Sequence, residues 1–224
     1  MHTVVPSGSD ALAEAKAALT PLLSKEEFSV FVFGPALRGG QQMRQPRCGT
    51  SSHANVARHA EYLRHRTKAA LEAEGFTAAL GETPSVLKFW QGFFSSPNEA
   101  VSEILEARKV CGAVVIFPAS FGSLAELCLF ARQGGIAEKT VAIVDKTYES
   151  ASSFFRRGVL ELFETFSGTT KFLDYKDEKA CIQRVLTFVE GRYHRVLDEI
   201  DQGQYITARH RGHVFENTLR DSSH

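Results

Sequence analysis

The chain has 224 residues, with 26 basic and 26 acidic side chains, 43% hydrophobic and 23% charged content. This is the composition of an ordinary globular protein of one large domain, and it excludes disordered, collagenous and disulfide-scaffold classes. A formal net charge of zero gives nonspecific nucleic-acid binding no global electrostatic support, so nucleic acid is expected only through a partner. No apolar run approaches the roughly 18 residues of a membrane span. The N-terminal stretch also lacks the charged-then-apolar pattern of a secretion signal, so a cytoplasmic protein with no membrane role is expected. Cys48, Cys111, Cys128 and Cys181 follow no zinc or disulfide spacing, so reduced thiols and no metal are expected.

In chain order, Leu12, Ala15 and Leu19 at helical spacing predict an N-terminal helix within residues 1–27, ended by Pro21. Residues 28–200 then alternate strand and helix. Phe28-Ser-Val-Phe-Val-Phe33 reads as a buried strand that stops at Gly34-Pro35. Val56, Ala60, Leu63, Thr67, Ala70 and Leu71 form the apolar stripe of a helix over 55–74, with Arg58, Glu61, Arg64, His65 and Lys68 set off it. Phe76–Leu80 is a second strand. Ser96-Pro-Asn-Glu99 is a capping box opening a helix that carries Val101, Ile104 and Leu105.

Gly112-Ala-Val-Val-Ile-Phe117 is almost wholly apolar, as a strand covered on both faces should be, and predicts a central parallel strand. Leu124, Leu127, Cys128 and Ala131 mark the next helix, which Gly134-Gly135 is expected to end. Thr140–Val144 is the fourth strand and Thr170–Tyr175 the fifth. Between them lies a helix with Phe155, Val159, Leu162, Phe163 and Phe166. Cys181, Val185, Phe188 and Val189 belong to a last helix reaching toward Ile200, and residues 201–224 form a polar tail. The alternation predicts an α/β fold: a doubly wound, mostly parallel five-stranded sheet with helices on both faces. Such sheets bind ligands outside the carboxyl ends of their strands, where strand order reverses.

Two connections hold chemistry-bearing residues. Gly34–Ala54 follows the first strand and carries Arg38, Gly39, Gly40, Arg44 and Arg47. Glycines let backbone approach a ligand and arginines suit phosphate oxygens, so Gly34, Arg38 and Gly39 are candidate phosphate contacts. A solvated surface loop is the competing reading. After the third strand, Phe117-Pro-Ala-Ser-Phe-Gly-Ser-Leu-Ala-Glu126 sets small residues and a helix start at a central strand's carboxyl end. Ser120, Gly122 and Ser123 are candidate ligand contacts there, and Glu126 stands on the expected first turn. Ser123-Leu-Ala-Glu126 also fits a capping box, which would make Glu126 purely structural. Leu87-Lys-Phe-Trp-Gln-Gly-Phe-Phe94 gathers the single tryptophan with three phenylalanines, either over a pocket or at an oligomer contact. His53, His59 and Tyr62 are candidate proton donors with no metal-ligand spacing.

The segment Val114-Val-Ile-Phe-Pro-Ala-Ser-Phe-Gly-Ser-Leu-Ala-Glu-Leu127 resembles the strand, small-residue turn and Gly-(Ser/Thr)-x-x-Glu helix start of the Rossmann-like N-glycosidase group. That group includes nucleoside 2-deoxyribosyltransferases, LOG-type phosphoribohydrolases and TIR-like domains. LOG-type proteins carry Pro-Gly-Gly where this chain has Pro118-Ala119-Ser120-Phe121. The resemblance implies a nucleotide-processing domain over 28–200 that cleaves or transfers at the N-glycosidic bond of a nucleotide, nucleoside or NAD, needing no cofactor. It makes Glu126 the catalytic carboxylate and sets Gly122 and Ser123 at the phosphate or ribose end. It further implies a bacterial antiviral-defence effector with a regulatory protein partner or a homo-oligomeric state. The alternative from a different class is a noncatalytic nucleotide-sensing or partner-binding module on the same fold.

Overall fold

The computed structural model describes residues 23–36, 53–81, 99–150 and 152–202. The N-terminal helix, the arginine connection with Arg38 and Gly39, the Ser96 cap, the Trp90 segment and the polar tail lie outside the described residues.

Five strands form one sheet: β1 (Ser29–Phe33), β2 (Thr77–Leu80), β3 (Ala113–Ile116), β4 (Thr140–Asp145) and β5 (Thr169–Leu173), in the order β2-β1-β3-β4-β5. Every pairing is parallel. The helices are α1 (His53–Ala73), α2 (Glu99–Lys109), α3 (Phe121–Ala131), the single turn α4 (Gly134–Ala137), α5 (Glu161–Thr165) and α6 (Glu178–Asp201). Alternation along the strands sends side chains to two separate cores. Val30, Val32, Ala113, Val115, Val141 and Ile143 pack with Ala60, Leu63 and Leu71 of α1 and Val185 and Val189 of α6. Phe31, Phe33, Val114, Ile116, Ala142 and Val144 pack on the opposite face with Ala107, Leu127, Phe130, Ile136 and Phe163 from α2, α3, α4 and α5. The sheet is therefore doubly wound, and β1, β3 and β4 are apolar on both faces because both faces are covered.

The structure departs from the sequence expectations in three places. Gly134-Gly135 does not terminate the preceding helix; α3 ends at Ala131, and the two glycines open α4. The residues expected as one helix over 155–166 begin as a wide π turn at Phe155–Leu160 and tighten into α5. Helix α3 starts earlier than the Ser123 box implied. Ser120, with extended φ and ψ of −135° and 165°, is its N-cap, and its hydroxyl accepts from Ser123 N. Ser120 offers the same acceptor three residues sooner, and Ser123 returns its own hydroxyl to Ser120 N, so the reciprocal cap closes without a glutamate.

Candidate functional site

The strand order reverses between β1 and β3. The chain leaves β1 to build β2 on one side, then returns to build β3 on the other. Their carboxyl ends lie side by side, with Phe33 paired to Ile116 and Phe117 N donating to Phe33 O at 3.0 Å. A reversal of this kind opens a crevice at the carboxyl edge, the usual ligand position in open α/β sheets.

Gly34 forms one lip. Its φ is +155°, and a Cβ there would come within 3.2 Å of Arg64 Cδ and 3.3 Å of Phe117 Cβ. Only glycine fits both the conformation and the space. Arg64 reaches in from α1 and is 1% exposed. Its Nε donates to Val32 O at 3.1 Å and its Nη1 to Pro35 O at 3.2 Å. A buried guanidinium thus holds the end of β1 to α1 and sets a cation beneath the crevice. The polarity of Arg64 had placed it off the buried stripe; the structure puts it inside.

The other lip is the turn from β3 into α3. Ala119 N and Ser120 N both donate to Ser123 Oγ, at 3.1 and 3.0 Å, and the two serine hydroxyls lie 3.0 Å apart. Ser123 is buried, so its hydroxyl serves the turn, while Ser120 is half-buried. Gly122 is exposed, and a Cβ there would meet only Ser120 Oγ, at 3.9 Å. Glu126 sits in the second turn of α3, outside the cap. Its side chain is half-buried and its Oε2 is shielded from solvent. Low local dielectric strengthens the field of such a carboxylate toward any nearby cationic centre.

The other sequence candidates have structural partners. His59 is buried, with Nδ1 2.8 Å from Asn55 O in its own helix. Tyr62 donates to Glu178 Oε2 at 2.8 Å, and Arg66 Nε donates to Glu178 Oε1 at 2.6 Å, joining α1 to the start of α6. Burial and the Glu178 carboxylate push the Tyr62 phenol up, which disfavours proton donation from a phenolate-forming acid. The His53 side chain lies outside the described residues. Sequence reasoning also missed Asp145, buried at the carboxyl end of β4. Its Oδ1 accepts from Thr147 N and Thr147 Oγ1, and its Oδ2 from Tyr175 N. These bonds tie the ends of β4 and β5, and the Asp–x–Thr spacing of a capped turn was the available signal.

Among the described residues, no group of three or more His, Cys, Asp or Glu is placed to hold a metal ion, and no helix is long and apolar enough to cross a membrane.

The doubly wound, all-parallel sheet with its strand order reversing between β1 and β3 defines a Rossmann-like α/β protein. The model of the STM3845 retron effector protein family matches residues 101–218, just over half of the chain. The chain belongs to that family, which places it among bacterial defence effectors. The match includes β3, the serine cap and Glu126. No curated protein matches the chain.

Proposed function

We propose that this retron effector acts on the N-glycosidic bond of a nucleotide, nucleoside or NAD, with Glu126 as the catalytic carboxylate. The reading rests on one observation above all: Glu126 stands in the second turn of the helix that follows β3, with Oε2 shielded from water, and the cap of that helix is made by Ser120 and Ser123. The resemblance around Gly122-Ser-Leu-Ala-Glu126 points the same way.

In this reading the sugar's anomeric carbon sits against Glu126. The bond from that carbon to the base nitrogen breaks, the base leaves with the electron pair, and an oxocarbenium-like centre develops. The carboxylate stabilises that charge or captures the carbon as an ester, and water or an acceptor nucleophile then takes the sugar. A cationic base such as nicotinamide leaves without a proton, which suits a crevice whose described histidine and tyrosine candidates are tied up elsewhere. Gly34 lets backbone approach the ligand, Arg38 and Gly39 meet its phosphate, and Ser120 and Gly122 border the sugar. Buried Ser123 holds the turn that presents them.

The test is base release by chromatography, using the full chain with NAD and a nucleotide panel, for wild type and Glu126→Gln. Because glutamine has the shape of glutamate and the cap does not use this side chain, the variant should fold, and its melting temperature is measured alongside. Base release should fall by about 10³-fold or more, as expected for loss of a transition-state charge partner. Comparable turnover in the variant would remove Glu126 from the mechanism. Ligand binding by the wild type with no base release from any substrate would favour the noncatalytic sensor.

A further inference from the structure

Seven large apolar side chains are exposed among the described residues, and they share one side of the sheet: Val101 and Val110 on and just after α2, Phe121 and Leu129 on α3, and Phe154, Leu162 and Phe166 on and around the π turn and α5. Helices α1 and α6, on the other side, contribute none. The asymmetry centres on α3, whose eleven residues include one charged side chain, Glu126. Ser123, Leu127, Phe130 and Ala131 face the core. Phe121, Ala125, Cys128 and Leu129 are exposed, although hydrophobic spacing had set Cys128 on the buried stripe. These four follow i, i+4, i+7, i+8, the spacing of a second apolar seam. A helix that is apolar on both sides is built to be buried on both sides.

We propose that this outer seam is the interface of a symmetric dimer of this chain, with α3 packed antiparallel against α3 of a second copy. Size supports a protein partner. Phe121 is 95% exposed and Phe154 82%, and each fully presented phenylalanine offers roughly 150–250 Å². The π turn and α5 pack beside α3. With Leu129, Leu162 and Phe166 the apolar area reaches about 500 Å², the hydrophobic centre of an interface that buries about 800 Å² per partner. A patch of this size is at the upper end of what a monomer exposes, and such patches are often functional.

Charge and shape support a second copy. Zero net charge means two chains do not repel at long range. Exposed Arg157 and Glu164 occupy the neighbouring segment, where Arg156 and Glu161 already pair within the chain at 4.0 Å. A two-fold contact can therefore pair unlike charges around its rim. An antiparallel register that sets Ala125 opposite Cys128 also sets Phe121 opposite Arg132, an exposed guanidinium able to lie over the ring. Ala125 and Cys128 are small enough to let the two helices approach closely.

Sedimentation velocity of the full chain over micromolar concentrations should give twice the monomer mass. Leu129→Glu and Phe121→Ser, both at exposed positions, should keep the wild-type melting curve of the monomeric fold while raising the dimer dissociation constant about thirtyfold or more, as loss of a central apolar anchor does. A wild type that is monomeric throughout would overturn the proposal and assign the seam to another segment of the chain or a different partner. A dimer that survives both substitutions would overturn it in favour of another surface. Neither result depends on the catalytic reading of Glu126.

Discussion

Lys139 gives an unusual sign of pH dependence. It lies just before β4, is 8% exposed, and its Nζ donates to Cys111 O at 2.7 Å and Arg108 O at 3.3 Å, closing the carbonyl end of α2. Burial lowers its pKa from 10.5 to about 8; the charge of Arg192 pushes the same way, and Cys111 and Glu138 oppose it. Below pH 8 both the folded and unfolded chains carry the proton, and the folded state bears the full cost of a buried charge. Between pH 8 and 10.5 the folded lysine is losing its proton while the unfolded one keeps it. The unfolded state then binds more protons, so stability rises with pH across this window. The gap is worth about 3 kcal/mol at ~1.4 kcal/mol per pKa unit. Urea unfolding of wild type and Lys139→Met at pH 7.5, 9 and 10.5, both carrying Cys111→Ala to remove the one thiol coupled to Lys139, isolates this contribution, because the uncoupled groups titrating in the same range cancel in the difference. The wild type should gain about 3 kcal/mol on the variant from the lowest to the highest pH. A difference that stays flat or moves against the wild type would refute the reasoning.

Two further substitutions probe the frame of the site. Gly112→Ala would put a Cβ 2.2 Å from the buried Phe28 ring, and the forced shift should cost about 1–3 kcal/mol in urea unfolding. Arg64→Met removes two charge-assisted bonds to the end of β1. It should destabilise by about 3–6 kcal/mol, at roughly 1.5–3 kcal/mol for each such bond, and lower base release further than the stability loss explains, because Gly34 loses its support.

The fold was legible because β1, β3 and β4 are short, apolar and β-branched, and because β1 and β3 are each followed by a small-residue break and a periodic helix. That order leaves few topologies once parallel strands must be joined by right-handed crossovers. What stayed hidden was set by contacts distant in sequence or by choices between neighbouring residues. The widening of the chain at Phe155–Leu160 leaves no mark in hydrophobic periodicity, since Val159, Leu160 and Phe163 still reach the core. The start of α3 turned on two serines three residues apart, both good caps; the turn geometry after Phe117 selected Ser120.

The site shows where residue type misleads and spacing does not. Ala60, Leu63, Arg64, Thr67 and Leu71 are all buried, and the first four fall at i, i+3, i+4 and i+7, so the stripe itself included Arg64. Charge alone suggested solvent. An arginine is tolerated there because two carbonyls near the end of β1, Val32 O and Pro35 O, lie within reach and accept from it. The crevice that exposes those carbonyls to a cation is the same one that brings β1 beside the Glu126 helix. A buried charge on a helix stripe facing the carboxyl edge of a parallel sheet is therefore a pointer to the strand-order reversal, and the amino-acid sequence reveals it once the stripe is counted by position and not by polarity.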